Sequence, residues 1–148
     1  MLSLDTNILL PAVETRNPAH ERAAAFLDSL QTRDDVAICE LMLVELYSLL
    51  RNPAVLAKPL AAAAAVDVCE AFRRHPRWQL IGLPPDGRAF HDAFWPRLRE
   101  ESFARRRAFD WRAALALTRQ GVTEFATVNE KDFRDFGFAR VWNPLAAL

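Results

Sequence analysis

Short apolar runs alternate with helix-periodic stretches along this chain, and that alternation restricts the fold more than any other feature. Met1-Leu2-Ser3-Leu4, Val36-Ala37-Ile38-Cys39, Trp78 to Leu83, Glu124 to Thr127 and Arg140-Val141-Trp142 read as strands. Residues 18–30, 41–50, 54–74, the stretch after Asp86 and 111–120 read as helices. Strands separated by helices pair in parallel through crossover connections, which is the α/β class with a central parallel sheet. No internal repeat or linker interrupts the pattern, so the expectation is one domain over residues 1–148.

Local signals place the element ends. Asn17 can cap the first of these helices, with Pro18 in its first turn and Ala19, Ala23, Phe26, Leu27 and Leu30 on one face. Asp86 can cap another, which Pro96 kinks or ends. The alanines at 61–65 favour helix and close packing. Gly121 stands just past a helix end, where a C-terminal cap belongs. Residues 97–109 are polar and carry no clear assignment.

Composition excludes several classes. Half the residues are hydrophobic and only 4 are glycine, which argues against long disordered stretches. Net charge is zero, so nucleic-acid binding would have to come from a local patch. Cys39 and Cys69 lie far apart with no CxxC pair and read as two reduced, buried thiols. No apolar run approaches the ~20 residues of a membrane span. The N-terminus also lacks a basic region followed by an apolar one, so the expected location is the cytoplasm.

The chemistry is concentrated in carboxylates. Asp5 ends the first strand and is followed at once by Thr6-Asn7-Ile8-Leu9-Leu10. An acid there is either a turn residue or a ligand at the carboxyl end of a parallel strand, where α/β proteins bind their substrates. Glu45 is the only ionisable residue besides Tyr47 between Leu41 and Leu50, on a helix expected to be buried nearly all round. Burial of an unpaired carboxylate is costly, so Glu45 reads as functional or as paired with an arginine. Glu40, at the start of that helix, suits the helix dipole instead. Asp110 precedes Trp111-Arg112-Ala113-Ala114 and reads as an N-cap, a role compatible with holding a cation. Asn129 and Asp132 follow the Glu124–Thr127 strand in what alone is an ordinary polar turn. Four carboxylates at one end of a sheet would repel by about 4 kcal/mol per pair at ~4 Å and an effective dielectric of ~20. A hard divalent cation is the usual resolution.

Together these residues resemble the PIN-domain ribonucleases, in particular the small VapC-type toxins of bacterial toxin–antitoxin pairs. The resemblance rests on Leu4-Asp5-Thr6-Asn7, the acid in Leu43-Val44-Glu45-Leu46, and the aspartate before an Ala-rich helix at Asp110–Leu117. Thr127-x-Asn129-x-x-Asp132-Phe133 and the terminal Asn143-Pro144 extend it over nearly the whole chain. It implies a three-layer α/β/α fold and an acidic pocket holding Mg²⁺ or Mn²⁺. Asp5, Glu45 and Asp110 match the family's first three acids, with Asp132 the better fourth ligand. Thr6 matches a hydroxyl position that steadies the pocket, and Asn129 is suited to orienting a water or ligand. It further implies a small antitoxin partner that blocks the pocket, and a homodimer. The segment 84–109 is longer and more polar than a minimal member requires.

The implied chemistry is metal-dependent hydrolysis of RNA, with Asp5 and Asp110 as principal ligands and Glu45 and Asp132 completing the cluster. Residues 97–112 carry six arginines against three acids, beside Phe103, Phe109 and Trp111. Arg105, Arg106 and Arg107 are placed to grip phosphates, and the aromatics to stack bases, unless this stretch is simply a solvated helix face. The rival reading is a non-catalytic PIN-like module that binds RNA or a partner, which predicts a broken acid set. A response-regulator-type phosphoryl acceptor would need paired early acids, and a haloacid-dehalogenase-type phosphatase would need an acid where Asn7 stands.

Overall fold

The computed structural model describes residues 1–147. Its elements run β1 (Leu2–Leu4), α1 (Thr6–Val13), α2 (His20–Leu30), β2 (Val36–Cys39), α3 (Glu40–Leu50), α4 (Ala62–Arg73) and β3 (Gln79–Ile81). Then follow α5 (Gly87–Phe94), a 3₁₀ turn (Trp95–Arg99), α6 (Arg107–Arg119), β4 (Glu124–Ala126), α7 (Glu130–Phe133) and β5 (Arg140–Trp142). The strands form one sheet in the order β3-β2-β1-β4-β5, and every pairing is parallel. Leu2 lies opposite Val36 on one side and Glu124 on the other, so β1 is central and Asp5 leaves the middle of the sheet.

Successive strand residues point to opposite faces, and both faces are covered. Leu2, Leu4, Val36 and Ile38 join one core with Ile8 and Leu9 of α1, Leu27 and Leu30 of α2, and Leu43, Leu46 and Leu50 of α3. Ala37, Cys39 and Phe125 join a second core with Phe90 and Phe94 of α5, Trp111 and Ala113 to Leu117 of α6, and Phe133 of α7. This is the expected three-layer α/β/α arrangement. Cys39 and Cys69 are both free and buried. Among the described residues no helix is long and apolar enough to cross a membrane.

Several element ends follow their local signals. Asp86 accepts a hydrogen bond from the Ala89 N–H at 2.9 Å and caps α5, which gives way to the 3₁₀ turn at Pro96. Gly121 adopts φ +90° after α6, where Val122 N–H reaches Leu117 O and Gly121 N–H reaches Thr118 O, the paired bonds of a Schellman cap. Other ends differ from expectation. The helix expected from residue 54 begins at Ala62, because Pro53 and Pro59 supply no N–H and bias the residues before them away from helix. α1 has no strong local signal and carries Pro11 inside it; burial of Ile8 and Leu9 against neighbouring helices holds it. Asp110 is not an N-cap: α6 starts at Arg107 and places Asp110 in its first turn. The physical reason is tertiary, since Arg107 is anchored on another element.

Candidate active site

The sheet order reverses between β1 and β4, and the crevice beyond the carboxyl ends of those strands is where open parallel sheets place their ligands. Asp5 follows β1 and Thr127 follows β4, so register puts the two residues side by side. The Thr127 hydroxyl donates to Asp5 Oδ2 at 2.5 Å. The Thr127 hydroxyl oxygen itself accepts from the Asn7 side-chain amide at 3.1 Å and from the Asn129 backbone N–H at 3.0 Å. Asn7 also accepts from Val128 N–H through its side-chain oxygen at 3.1 Å. Asp5 and Thr127 are both buried.

Thr6 begins α1 and carries the second hydroxyl of the site. Its oxygen lies 3.1 Å from Glu45 Oε2 and 3.2 Å from the Met42 carbonyl, so its single proton can serve either acceptor. Glu45 is exposed, as is Val44 beside it. The expectation that Glu45 lies on a helix buried nearly all round is therefore corrected: α3 buries Met42, Leu43, Leu46 and Leu50 and turns Glu45 toward open space. Asp110 faces it from α6, and the two line one cavity of about 560 Å³. Asp132 is half-buried on α7, which Asn129 precedes.

Electrostatics tie these acids together. Burial pushes the Asp5 carboxyl up to about 7, against the Thr127 hydrogen bond, and the charges of Glu45 and Asp110 push the same way as burial. Burial raises Asp110 to about 6, reinforced by Glu45 and Asp132 and opposed by Arg107. Among the described residues none of the four acids takes part in an ion pair. Such a set has no ion-pair partner of its own and offers only hard oxygen donors, which suits Mg²⁺ or Mn²⁺. Among the described residues no three acid, His or Cys groups stand close enough to form a ready-made cage. Mg²⁺ keeps several waters and needs only one or two carboxylates directly.

The arginines divide. Arg105 and Arg106 are exposed. Arg107 is turned inward: its Nη2 donates to Asp135 Oδ1 at 2.7 Å and to the Asp132 carbonyl at 2.5 Å. Arg97 grips the same aspartate, donating to Oδ2 at 2.6 Å and to its carbonyl at 2.8 Å. Both guanidinium groups lie over Phe136, at 4.5 Å for Arg107 and 5.1 Å for Arg97. This clamp joins the start of α6 to the α7 segment that carries Asp132. Trp111 is buried with its indole N–H on the Phe94 carbonyl, and Phe103 stacks on Phe136, so of the three aromatics only Phe109 is exposed.

Thr127 and Asn7, both inside the motifs quoted above, join the site beyond the residues expected to form it. Their position was available: Thr127 is the first residue after the strand that neighbours β1.

Comparison with known proteins bears on the family and the fold. A family model described as the PIN domain matches residues 2–83. Ribonuclease VapC24 of Mycobacterium tuberculosis is 50% identical over 147 residues, covering 99% of each chain. The crystal structure of Mycobacterium tuberculosis VapC20, a Sarcin-Ricin loop cleaving toxin, superposes with TM-score 0.66 at 15% identity, over 93% of this chain and 96% of that one. FitAcB from Neisseria gonorrhoeae superposes with TM-score 0.65 at 21% identity, over 99% of this chain and 100% of its own.

Proposed function

The chain belongs to the PIN-domain family, and from that premise we propose that it is a metal-dependent endoribonuclease, the toxin of a type II toxin–antitoxin pair. The observation that carries the reading is the pair Asp5 and Asp110. Both are held above the ordinary carboxylate range by burial and neighbouring acids, and neither has a cationic partner among the described residues.

Asp5 and Asp110 are the principal ligands of a Mg²⁺ or Mn²⁺ ion, and Glu45 and Asp132 complete the set directly or through water. When bound, the ion supplies Lewis acidity toward the phosphodiester and eases deprotonation of the attacking water. Thr127 fixes the Asp5 carboxylate from the β4 side. Thr6 offers its hydroxyl to Glu45 from the β1 side, in competition with the Met42 carbonyl. Asn129 sits at the mouth with its backbone N–H on Thr127, and its side chain is placed to orient a water or ligand. Arg105 and Arg106, exposed ahead of Asp110, face incoming phosphates. The whole chain forms one PIN-like domain acting in the cytoplasm. It pairs with a second copy and with a small antitoxin whose basic residues neutralise the acidic pocket.

The test is cleavage of a mixture of structured RNAs by purified protein with Mg²⁺, with Mn²⁺ and with EDTA, beside Asp5→Asn and Asp110→Asn. Metal-dependent cleavage lost in both variants supports the reading. Well-folded protein that neither cleaves RNA nor binds a divalent ion would instead be a PIN-like binding module.

A further inference from the structure

α3 and α6 present the same stripe to each other across the active-site cavity. Leu41, Val44, Glu45 and Ser48 stand at i, i+3, i+4 and i+7 of one helix, and Arg106, Phe109, Asp110 and Ala113 run at the same offsets into the other. That spacing keeps each set on one helix face, and both sets line the same space. In each stripe the acid is directly preceded by an apolar residue left in the open: Val44 is 68% exposed and Phe109 73%. Every other phenylalanine of the chain is buried or half-buried.

From this placement we propose that Phe109 is the stacking platform for one unpaired nucleobase next to the scissile phosphate, a subsite that rests on the ribonuclease reading. The ring adjoins Asp110, so a phosphate held at the carboxylates brings its own nucleotide to the apolar lip. The Arg112 guanidinium lies 5.9 Å from the Phe109 ring centroid, and its buried Nε has no hydrogen-bond partner. Arg106 is exposed on the same wall. These two cations offset the acids and favour a polyanion over a purely apolar occupant. The cavity, about 560 Å³, falls within the range of small-ligand sites. A base can lie on the ring only when its face is free, which selects loops and single strands over duplex.

The experiment uses the full chain and single-stranded RNA oligonucleotides of mixed sequence in which wild-type cleavage has first been mapped. Steady-state cleavage is then compared for wild type, Phe109→Ala and Phe109→Trp. Each is also tested on an RNA made abasic at the nucleotides flanking the cut. Phe109→Ala is expected to raise KM about tenfold, and Phe109→Trp to stay near wild type. One abasic position should cost the wild type the same factor and cost Phe109→Ala nothing further, the signature of a shared contact. The subsite is overturned if the Ala variant keeps the wild-type KM, or if its loss adds in full to the abasic loss at both positions. An unchanged KM with a shift in sedimentation would assign the ring to an interface between copies and overturn it as well. A wild type that cuts no RNA with Mg²⁺ or Mn²⁺ takes down the ribonuclease reading and the subsite with it. Cleavage by wild type together with an unaffected Ala variant removes the subsite alone.

Discussion

The Thr127 hydroxyl donates its proton to Asp5 Oδ2 at 2.5 Å, joining the two residues that leave adjacent parallel strands. This bond selects the ionised carboxylate, because only the carboxylate accepts from a donor at that position without competition from its own proton. Two further donors, the Asn7 amide and the Asn129 N–H, occupy the remaining capacity of the threonine oxygen and so aim its proton at Asp5.

Thr127→Val, which keeps the shape and removes the proton, should raise the Asp5 pKa above its present value of about 7. Cleavage that needs ionised Asp5 would then lose its acid limb at higher pH, and activity near neutrality should fall by about tenfold or more. Thr127→Ser should retain the wild-type profile. A pH–rate profile of kcat/KM decides it, and an unmoved acid limb in the valine variant would show that the bond does not tune Asp5.

Stability should fall as pH rises. Asp5 is raised from 3.8 to about 7 on folding, so between those values the folded state binds more protons than the unfolded one. Stability therefore declines as pH climbs through that window and levels off above it. Asp110, raised to about 6, acts in the same direction. Asp5→Asn should stabilise the metal-free protein at pH 8 by on the order of 2 kcal/mol, or ~4–8 °C in Tm. At pH 4 the gain should vanish. Thermal melts in EDTA at both pH values measure it, and an equal effect at the two would refute the linkage.

Binding of a divalent ion should release protons at pH 6, where Asp5, at about 7, is largely protonated and Asp110, at about 6, is half so. Calorimetric titration of Mn²⁺ in two buffers of different ionisation enthalpy counts them. Release should shrink toward zero at pH 9. Binding with no proton release at pH 6 would place the ion away from these carboxylates.

The three consecutive arginines should behave differently. Arg107 is held by Asp135 and the Asp132 carbonyl, with its guanidinium over Phe136 and Phe103. Arg107→Ala should cost about 1–2 kcal/mol in urea unfolding and weaken Mn²⁺ binding, because α7 loses its tether. Arg105→Ala and Arg106→Ala should leave the unfolding midpoint in place. Together they should weaken RNA binding and lower its salt slope by about 1.4 for a single strand. Equal effects of all three on stability would contradict this division.

The class of fold and the four acids could be read from the residues alone. β2 lies where its apolar run placed it, because a strand buried between helices must be short and apolar. Asp5 was legible as unusual, since an acid at the end of a central strand needs a reason. Residues whose meaning depends on a distant partner were not legible. Glu45 is exposed because the other side of α3 meets the sheet, and no local pattern says which side that is. Arg107 is structural because Asp135, far along the chain, closes on it, and that anchor draws the start of α6 ahead of Asp110. Thr127 matters because β4 returns beside β1, a pairing across more than 120 residues of sequence. Helix and strand periods record local burial, whereas hydrogen bonds and charge coupling depend on distances that exist only once the sheet order is set.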